Sequence, residues 1–264
     1  MLREPDAPQS REYGIKRLRC SGRYFATDFL IGRQYGRGMS AHTLKTIAIV
    51  AMVVDHVASA FVPTASALGQ IMHMIGRLTA PIMMYFVAEG YHHTKNLRKY
   101  ALRLGAFALI SHFPFHFFYF GRWPVSAAGI QLYPTSFVYS LFVGLISLIV
   151  WNNDKLNLTA KACLIFGLCV AAIPGDGGFF AVFLILALGA YRGDFKMQAR
   201  SLGAFAVIAM VLQIGNWYQL GMFLAIPLLR QYNGTLGGSK HSKWFFYVFY
   251  PLHLLVLGSL KHGV

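Results

Sequence analysis

An acid and an imidazole stand side by side within an apolar stretch near the start of the chain. The stretch 44–63, LKTIAIVAMVVDHVASAFVP, carries Asp55 and His56. About 20 apolar residues can cross a bilayer at ~1.5 Å per residue. A charged carboxylate at that depth costs roughly 2.5–3.5 kcal/mol, so Asp55 needs a partner, a proton or a water-filled pocket. His56 can be buried in its neutral form and can move a proton near neutral pH. The pair therefore predicts a reaction site inside the membrane.

Other ionisable residues are expected to lie at the same depth as this pair. Counting residues from the outer ends of their apolar stretches puts Arg77, His112 and His253 within about 12 Å of the same membrane surface. Neighbouring residues of a helix point about 100° apart, so His56 needs an orienting partner from another helix. Asp55 is expected to orient an imidazole such as His253, or to hold Arg77. An Asp55–Arg77 ion pair could also join two helices without any chemistry.

The last apolar stretch, WFFYVFYPLHLLVLG, supplies two further candidates. Tyr250 and His253 are three residues apart and therefore share a helix face. Pro251 between them removes a backbone donor and is expected to break the helix. A broken helix at membrane depth is tolerated where it lines a cavity. We therefore expect both side chains to face a cavity.

A second group of polar residues is expected near the cytoplasmic ends of the helices. Arginine forks suit phosphate groups, which makes Arg98, Arg103 and Arg230 candidates for holding a phosphorylated ligand. Anchoring at the membrane surface is the simpler explanation for most of them. Glu89 either anchors its helix by pairing with a nearby basic residue or belongs to this site together with His93.

The composition is typical of a multi-pass membrane protein. Hydrophobic residues make up 56% of the chain and charged residues 12%, with a mean hydropathy of +0.50. Soluble chains carry about 25% charged residues. The 3 cysteines have no metal-binding or disulfide spacing. The adjacent histidines His92 and His93 point apart on a helix, so no metal site is expected.

Hydropathy predicts an all-α bundle of about nine transmembrane helices, with eight as the alternative. Residues 1–43 are predicted to form a basic cytoplasmic arm that is poorly ordered, and residues 44–264 the transmembrane domain. The candidate spans are 44–63, 71–91, 99–120, 135–151, 159–174, 178–192, 201–215, 217–230 and 244–260.

Basic residues predict the orientation of these spans. Placing the N-terminus in the cytoplasm puts nearly all of the 24 lysines and arginines on one side of the membrane. The formal net charge of +15 is thereby explained by topology, and no nucleic-acid partner is expected. The arm could lie on anionic lipid.

Several segments together resemble the TraX family, which is named for a conjugative-plasmid membrane protein that N-acetylates pilin. They are LKTIAIVAMVVDH, IGRLTAP, VAEGYHHTKN, LLRQYNG and FFYVFYPLH, and the resemblance covers residues 42–260. It implies a transmembrane acyltransferase of the bacterial inner membrane. Acetyl-CoA or another acyl-CoA would be the donor, and the acceptor would be a pilin N-terminus or an envelope glycan or lipid.

The resemblance also implies roles for the candidate residues. His56 would be the general base or a transient acyl carrier. Arg77 or Tyr250 would stabilise the oxyanion of the tetrahedral intermediate. The phosphates of coenzyme A would lie among residues at the inner mouth, namely Glu89, His93, Arg98, Arg103 and Arg230.

Two functions from other classes remain open at this point. A proton-coupled transporter would use the same buried charges as a relay and would show flux without consuming acyl-CoA. A non-catalytic membrane subunit of a pilus or secretion system would use Asp55 and Arg77 only to join helices, and would tolerate their joint replacement by apolar residues.

Overall fold

The computed structural model describes residues 38–126, 129–213, 216–238 and 242–263. Most of the predicted basic arm, residues 1–37, therefore lies outside the described residues. The described part is mainly helical and includes one short antiparallel hairpin, β1 Val125–Ser126 with β2 Gly129–Ile130. In chain order the helices are α1 Ala41–Phe61, α2 Ala67–Gly76, α3 Thr79–His93, α4 Leu97–Phe120, α5 Phe137–Trp151, α6 Leu158–Ala172, α7 Gly178–Ala190, α8 Phe195–Leu212, the 3₁₀ helix η1 Trp217–Leu224, α9 Ala225–Arg230 and α10 Ser242–His262.

The chain is an all-α membrane protein. Five helical stretches are long and apolar enough to cross a membrane, and three shorter apolar helices, α5, α6 and α7, lie between them. The long stretches within the described residues are Ala41–Phe61, Ala67–His93, Leu97–Phe120, Phe195–Leu212 and Trp244–His262. The predicted helical class is thereby confirmed, whereas the number of spans stays a prediction.

Polar residues at the helix starts explain where several helices begin. Ser40 caps α1 by accepting a hydrogen bond from the backbone amide of Thr43 at 3.2 Å. Asn96 caps α4 and Asp194 caps α8 in the same way, through their side-chain oxygens. Each such cap stabilises a helix by about 1 kcal/mol. The boundaries of the predicted spans therefore shift by a few residues toward these caps.

The second span contains a break that the hydropathy pattern did not show. Helix α2 ends at Gly76 and α3 begins at Thr79, so that Arg77 lies in the intervening turn. Pro81 explains the position of the break, because a proline lacks an amide hydrogen and its ring clashes with the carbonyl group four residues earlier, here that of Arg77. In the first turn of α3 the same proline is well tolerated.

The predicted break at Pro251 is wrong. Helix α10 continues through Pro251 and packs along its length against α4 and α1. Packing on two sides supports the helix where one backbone hydrogen bond is missing. The predicted eighth span, 217–230, is likewise not one helix but η1 followed by the short helix α9.

Two glycines allow the helices around the break to approach one another. A Cβ atom on Gly76 would collide with the side chain of Asp55 on α1. A Cβ atom on Gly221 of η1 would collide with the backbone carbonyl of Met74 on α2. Helix α2 is therefore held between α1 and η1, and the turn at Arg77 lies next to both.

Candidate functional site

Asp55 is held by two basic side chains of the α2 segment. Its Oδ1 atom lies 2.9 Å from Nδ1 of His73 and 3.6 Å from Nη2 of Arg77. His73 and Arg77 are four residues apart and therefore lie on the same face. The structure thus places Arg77 beside Asp55, and it adds His73, which the sequence analysis missed. Their spacing of four residues was the available signal.

His56 makes a direct hydrogen bond with His253 of the last helix. The distance from Nδ1 of His56 to Nε2 of His253 is 3.0 Å, and Nδ1 of His253 lies 3.0 Å from the backbone carbonyl of Phe249. The expected orienting partner from another helix is therefore His253. The alternative in which Asp55 orients His253 is wrong, since Asp55 bonds to His73 instead.

These hydrogen bonds determine which ring nitrogen of each neutral histidine carries the hydrogen atom. A carbonyl oxygen can only accept, so Nδ1 of His253 carries the hydrogen and its Nε2 atom is an acceptor. His56 must then donate through Nδ1, which leaves a lone pair on its own Nε2 atom. The hydrogen bond to His253 therefore engages Nδ1 of His56 and not its Nε2 atom. Nε2 is thus the atom of His56 that can act as a base.

Aromatic side chains surround the two imidazoles. Phe118 meets the His56 ring edge to face with centroids 5.4 Å apart, and Phe249 stacks on His253 at 5.3 Å. Tyr250 lies beside His253 with ring centroids 5.6 Å apart. All of these rings limit the access of water, and both histidines are buried. The structure thus brings Tyr250 next to the histidine pair, as the sequence indicates.

A cavity of about 150 Å³ opens beside Arg77. Polar side chains of Asp176, Gln213 and Gln219 line it together with apolar residues of α3, α5, α7, α8 and η1. The volume is enough for several water molecules or for a small part of a ligand. The cavity lies on the side of the Asp55 cluster that faces η1. Hydropathy had predicted that η1 is part of a membrane span.

Among the residues that the structure describes, several buried polar atoms around this cavity have no hydrogen-bond partner. Gln219 donates to Gln213 at 2.6 Å, but its own carbonyl oxygen is unpaired. Nε of Arg77 and Nε2 of His73 are buried and unpaired as well. Because buried polar atoms in proteins normally have partners, these atoms fit a site that holds water or a polar ligand.

Asp176 lies in the turn between α6 and α7 and contributes a carboxylate to the cavity. The turn is fixed by Ser140, whose hydroxyl accepts from the amide of Gly177 at 3.0 Å. Removal from bulk water raises the pKa of the Asp176 carboxyl, Arg77 opposes this, and the negative charge of Asp55 adds to it. The residue is exposed and lines the cavity.

His112 does not join the Asp55 and His56 groups. Its Nδ1 atom lies 2.9 Å from the Thr135 hydroxyl, and its Nε2 atom lies 2.8 Å from the backbone carbonyl of Gln131. Both partners belong to the segment between β2 and α5. His112 therefore fastens this segment to α4, and similar depth in the membrane did not imply contact with the site.

Glu89 and His93 form a separate cluster with Arg192. Glu89 accepts from Nε of Arg192 at 3.1 Å, and its other oxygen lies 3.1 Å from Nε2 of His93. Arg192 follows Glu89 by 103 positions, so no local pattern indicated the pair. Of the predicted phosphate ligands, Arg98 and Arg230 are exposed at the same end of the helices.

Arg103 is half-buried between two tyrosine rings. Its guanidinium carbon lies 5.6 Å from the ring centroid of Tyr100 and 5.4 Å from that of Tyr247. Arg103 thus differs from the exposed Arg98 and Arg230, because aromatic side chains hold it in place.

Comparison with known proteins places the chain in a family. The family described as "TraX protein" matches residues 40–261. The chain is also 32% identical over 238 residues to the probable fimbrial assembly protein FimC, serogroup H1, of Dichelobacter nodosus, with 84% of this chain and 96% of the relative covered. No solved structure matches the chain. The match over nearly all described residues confirms the resemblance seen in the sequence, and the chain belongs to the TraX family.

Proposed function

We propose that the chain is an acyl-CoA-dependent acyltransferase of the bacterial inner membrane that modifies a component of fimbrial assembly or of the cell envelope. The observation that carries the proposal is the histidine pair, in which His253 engages Nδ1 of His56, so that the lone pair of His56 lies on Nε2. An imidazole lone pair in a buried site is suited to accept a proton from an attacking amine or hydroxyl.

The reaction follows from this arrangement. The acceptor atom attacks the thioester carbonyl carbon while Nε2 of His56 removes its proton. The resulting imidazolium donates through Nδ1 to His253, which the Phe249 carbonyl holds in position. When the tetrahedral intermediate collapses, the carbon–sulfur bond breaks and the thiolate of coenzyme A takes the proton from His56. The new bond joins the acyl carbon to the acceptor nitrogen or oxygen, and coenzyme A leaves as the free thiol.

Two side chains could stabilise the oxyanion of the intermediate. Arg77 is oriented by Asp55 and keeps a buried, unpaired Nε atom. Tyr250 lies beside His253 and carries a hydroxyl donor. A donor aimed at the developing negative charge is worth about 10²–10³ in rate. A direct acyl transfer to Nε2 of His56, followed by attack of the acceptor, would use the same residues.

The proposed topology supplies the two substrates from opposite faces. With the N-terminus in the cytoplasm and about nine spans, the donor enters near Arg98, Arg103 and Arg230, where Glu89 and His93 also lie. The acceptor enters through the cavity next to Arg77 and Asp176. A pilin N-terminus or an envelope glycan or lipid carries the amine or hydroxyl that this chemistry requires.

The test is acyl transfer by purified protein in nanodiscs with radiolabelled acetyl-CoA and envelope fractions from a strain that lacks the gene. Replacing His56 by Ala should lower kcat by about 10²–10⁴ because the base is lost. His116→Gln is the control, since His116 is also a buried histidine, lies on α4 and takes no part in the hydrogen bond between His56 and His253. A folded His56→Ala protein with full transfer would contradict the proposal.

A proton-coupled transporter is the second candidate, and the break in the second span favours it. Broken helices beside buried ionisable residues are common at the binding sites of transporters. Asp55, His73 and Arg77 lie in contact at such a break. Proteoliposomes with a trapped pH-sensitive dye distinguish the two functions. Flux that needs Asp55 and consumes no acyl-CoA would support the transporter.

A further inference from the structure

Lys45 lies between two aromatic rings near the beginning of α1. Its Nζ atom is 5.0 Å from the ring centroid of Phe86 on α3 and 5.9 Å from that of Phe246 on α10. The side chain is half-buried. In the described ranges of the chain no carboxylate forms an ion pair with it. The rings hold the ammonium group in place but leave its charge uncompensated.

Arg103 lies on α4, which like α1 packs against α10, and it too lies between two aromatic rings. Tyr100 and Tyr247 flank its guanidinium group, and its Nε atom is buried without a hydrogen-bond partner. Phe246 and Tyr247 are consecutive residues of α10, so this helix joins the two environments.

The nearby acid Glu89 does not compensate these charges. Glu89 pairs with Arg192 and His93 instead, and no ion pair of Lys45 or Arg103 occurs among the residues that the structure describes. Two half-buried cations without a counter-ion are unfavourable, because desolvation of each charge has to be offset by a partner. The arrangement is therefore complementary to an anion that is not part of the described chain.

We propose that Lys45 and Arg103 form a binding site for the phosphate group of a phosphorylated ligand. A guanidinium group offers a planar fork that matches phosphate oxygens, and a lysine adds a point charge beside it. The unpaired Nε atom of Arg103 supplies one donor of that fork. The phosphate chemistry is shared by a soluble phosphate ester and by an anionic lipid headgroup.

The position of the site relates it to the proposed function. Lys45 precedes His56 by eleven residues on α1, or about 16 Å along the helix axis at ~1.5 Å per residue. A donor whose phosphate lies at Lys45 and Arg103 would thus need an extended arm to bring a thioester to His56, and coenzyme A has such an arm between its phosphates and its sulfur. This link to the donor rests on the proposed function, whereas phosphate binding itself does not.

The experiment measures binding rather than acyl transfer. Purified protein in neutral detergent is titrated with coenzyme A and, separately, with inorganic pyrophosphate, and the dissociation constants are determined by microscale thermophoresis. Lys45→Gln and Arg103→Gln should each weaken binding about tenfold or more, because each removes a charged hydrogen-bond donor. Arg103→Lys, which keeps the charge, should lose less affinity than Arg103→Gln.

Two control variants match the substitutions in type. Lys161→Gln removes a lysine that also lies over an aromatic ring, Trp151, at 6.0 Å. Arg200→Gln removes an exposed arginine of α8. Both should leave the affinity within about twofold of the wild type, since general charge effects at a distance are screened by salt.

A second set of measurements, with lipids, identifies the source of the phosphate. The same variants in nanodiscs of phosphatidylglycerol or of phosphatidylcholine are compared for retention of the anionic lipid. Retention that depends on Lys45 and Arg103, without binding of coenzyme A or pyrophosphate, would assign the site to a headgroup. Equal affinity of all variants, or no binding of any phosphate compound, would overturn the proposal. Phosphate binding without acyl transfer would leave this site intact and contradict only the proposed function.

Discussion

Nε2 of His253 accepts a hydrogen bond from Nδ1 of His56 at 3.0 Å, although 197 positions separate the two residues. His253 does not reach the reacting atoms in the proposed mechanism; it determines which nitrogen of His56 carries the lone pair. Its role is therefore that of a positioning residue. This assignment can be tested separately from the role of His56.

Replacing His253 by Ala should lower kcat by about 10–100-fold, by analogy with partners that orient catalytic or metal-bound histidines. His253→Gln should recover part of the loss, because the carbonyl oxygen of Gln can accept from Nδ1 of His56. KM for acyl-CoA should change little, and the acidic limb of the pH–rate profile should move. Equal losses in both variants without a change in the pH profile would indicate a purely structural role.

Replacing Gly76 by Ala should destabilise the protein by about 1–3 kcal/mol, because the added methyl group collides with Asp55 and the helices must separate. Gly167→Ala on α6 is the matched control, since a Cβ atom there meets nothing within 4 Å and alanine favours the helix. Chemical unfolding in detergent measures both. Equal stabilities of the two variants would show that α1 and α2 are not in close contact at Gly76.

Asp55→Asn should destabilise the protein by about 1–3 kcal/mol, because the neutral amide that replaces the carboxylate carries no negative charge for His73 and Arg77 in a buried site. We expect a loss toward the lower end of this range, because the Arg77 side chain is 31% exposed and solvent screens its charge. Replacing Asp55 and Arg77 together by Leu should restore stability but not acyl transfer. A double variant with full acyl transfer would show that Asp55 and Arg77 serve only to join the helices.

Asp176→Asn should change the pH dependence of stability. The raised pKa of Asp176 means that the folded protein holds this proton more tightly than the unfolded chain does. The stability gained in acid is therefore lost as the pH rises through the pKa of Asp176 in the folded state. Between pH 4 and 8, the free energy of unfolding should decline less in the Asn variant than in the wild type. Identical pH profiles would place Asp176 in bulk water.

Much of the site could be predicted because charged groups in apolar stretches are rare and costly. That rule identified Asp55, His56 and His253, and helix geometry correctly required a partner for His56 from another helix. His73 was missed because it lies at the edge of a predicted span, where placing an imidazole costs little free energy. The pairing of Glu89 with Arg192 depends on tertiary packing, which no local pattern records.

The helical class was also predictable, but the two proline effects were not. Pro81 breaks the second span and Pro251 does not break the last. The chemical cause is identical in both places, a missing amide hydrogen and a crowded carbonyl group. The outcome differs because α10 packs against two other helices around Pro251, whereas Pro81 lies in the first turn of α3, where a helix can begin anew. Packing of this kind is not visible in a hydropathy profile.

The bond between the first and the last described helix has a consequence for biogenesis. Membrane helices leave the ribosome in order, so α1 enters the bilayer long before α10 is synthesised. Throughout that interval His56 lacks the residue that fixes its ring. A chain that stalls during translation before α10 can thus insert and pack its earlier helices yet hold no assembled histidine pair. The histidine pair is completed only after α10 has been synthesised, so chains that stop before α10 do not acquire it.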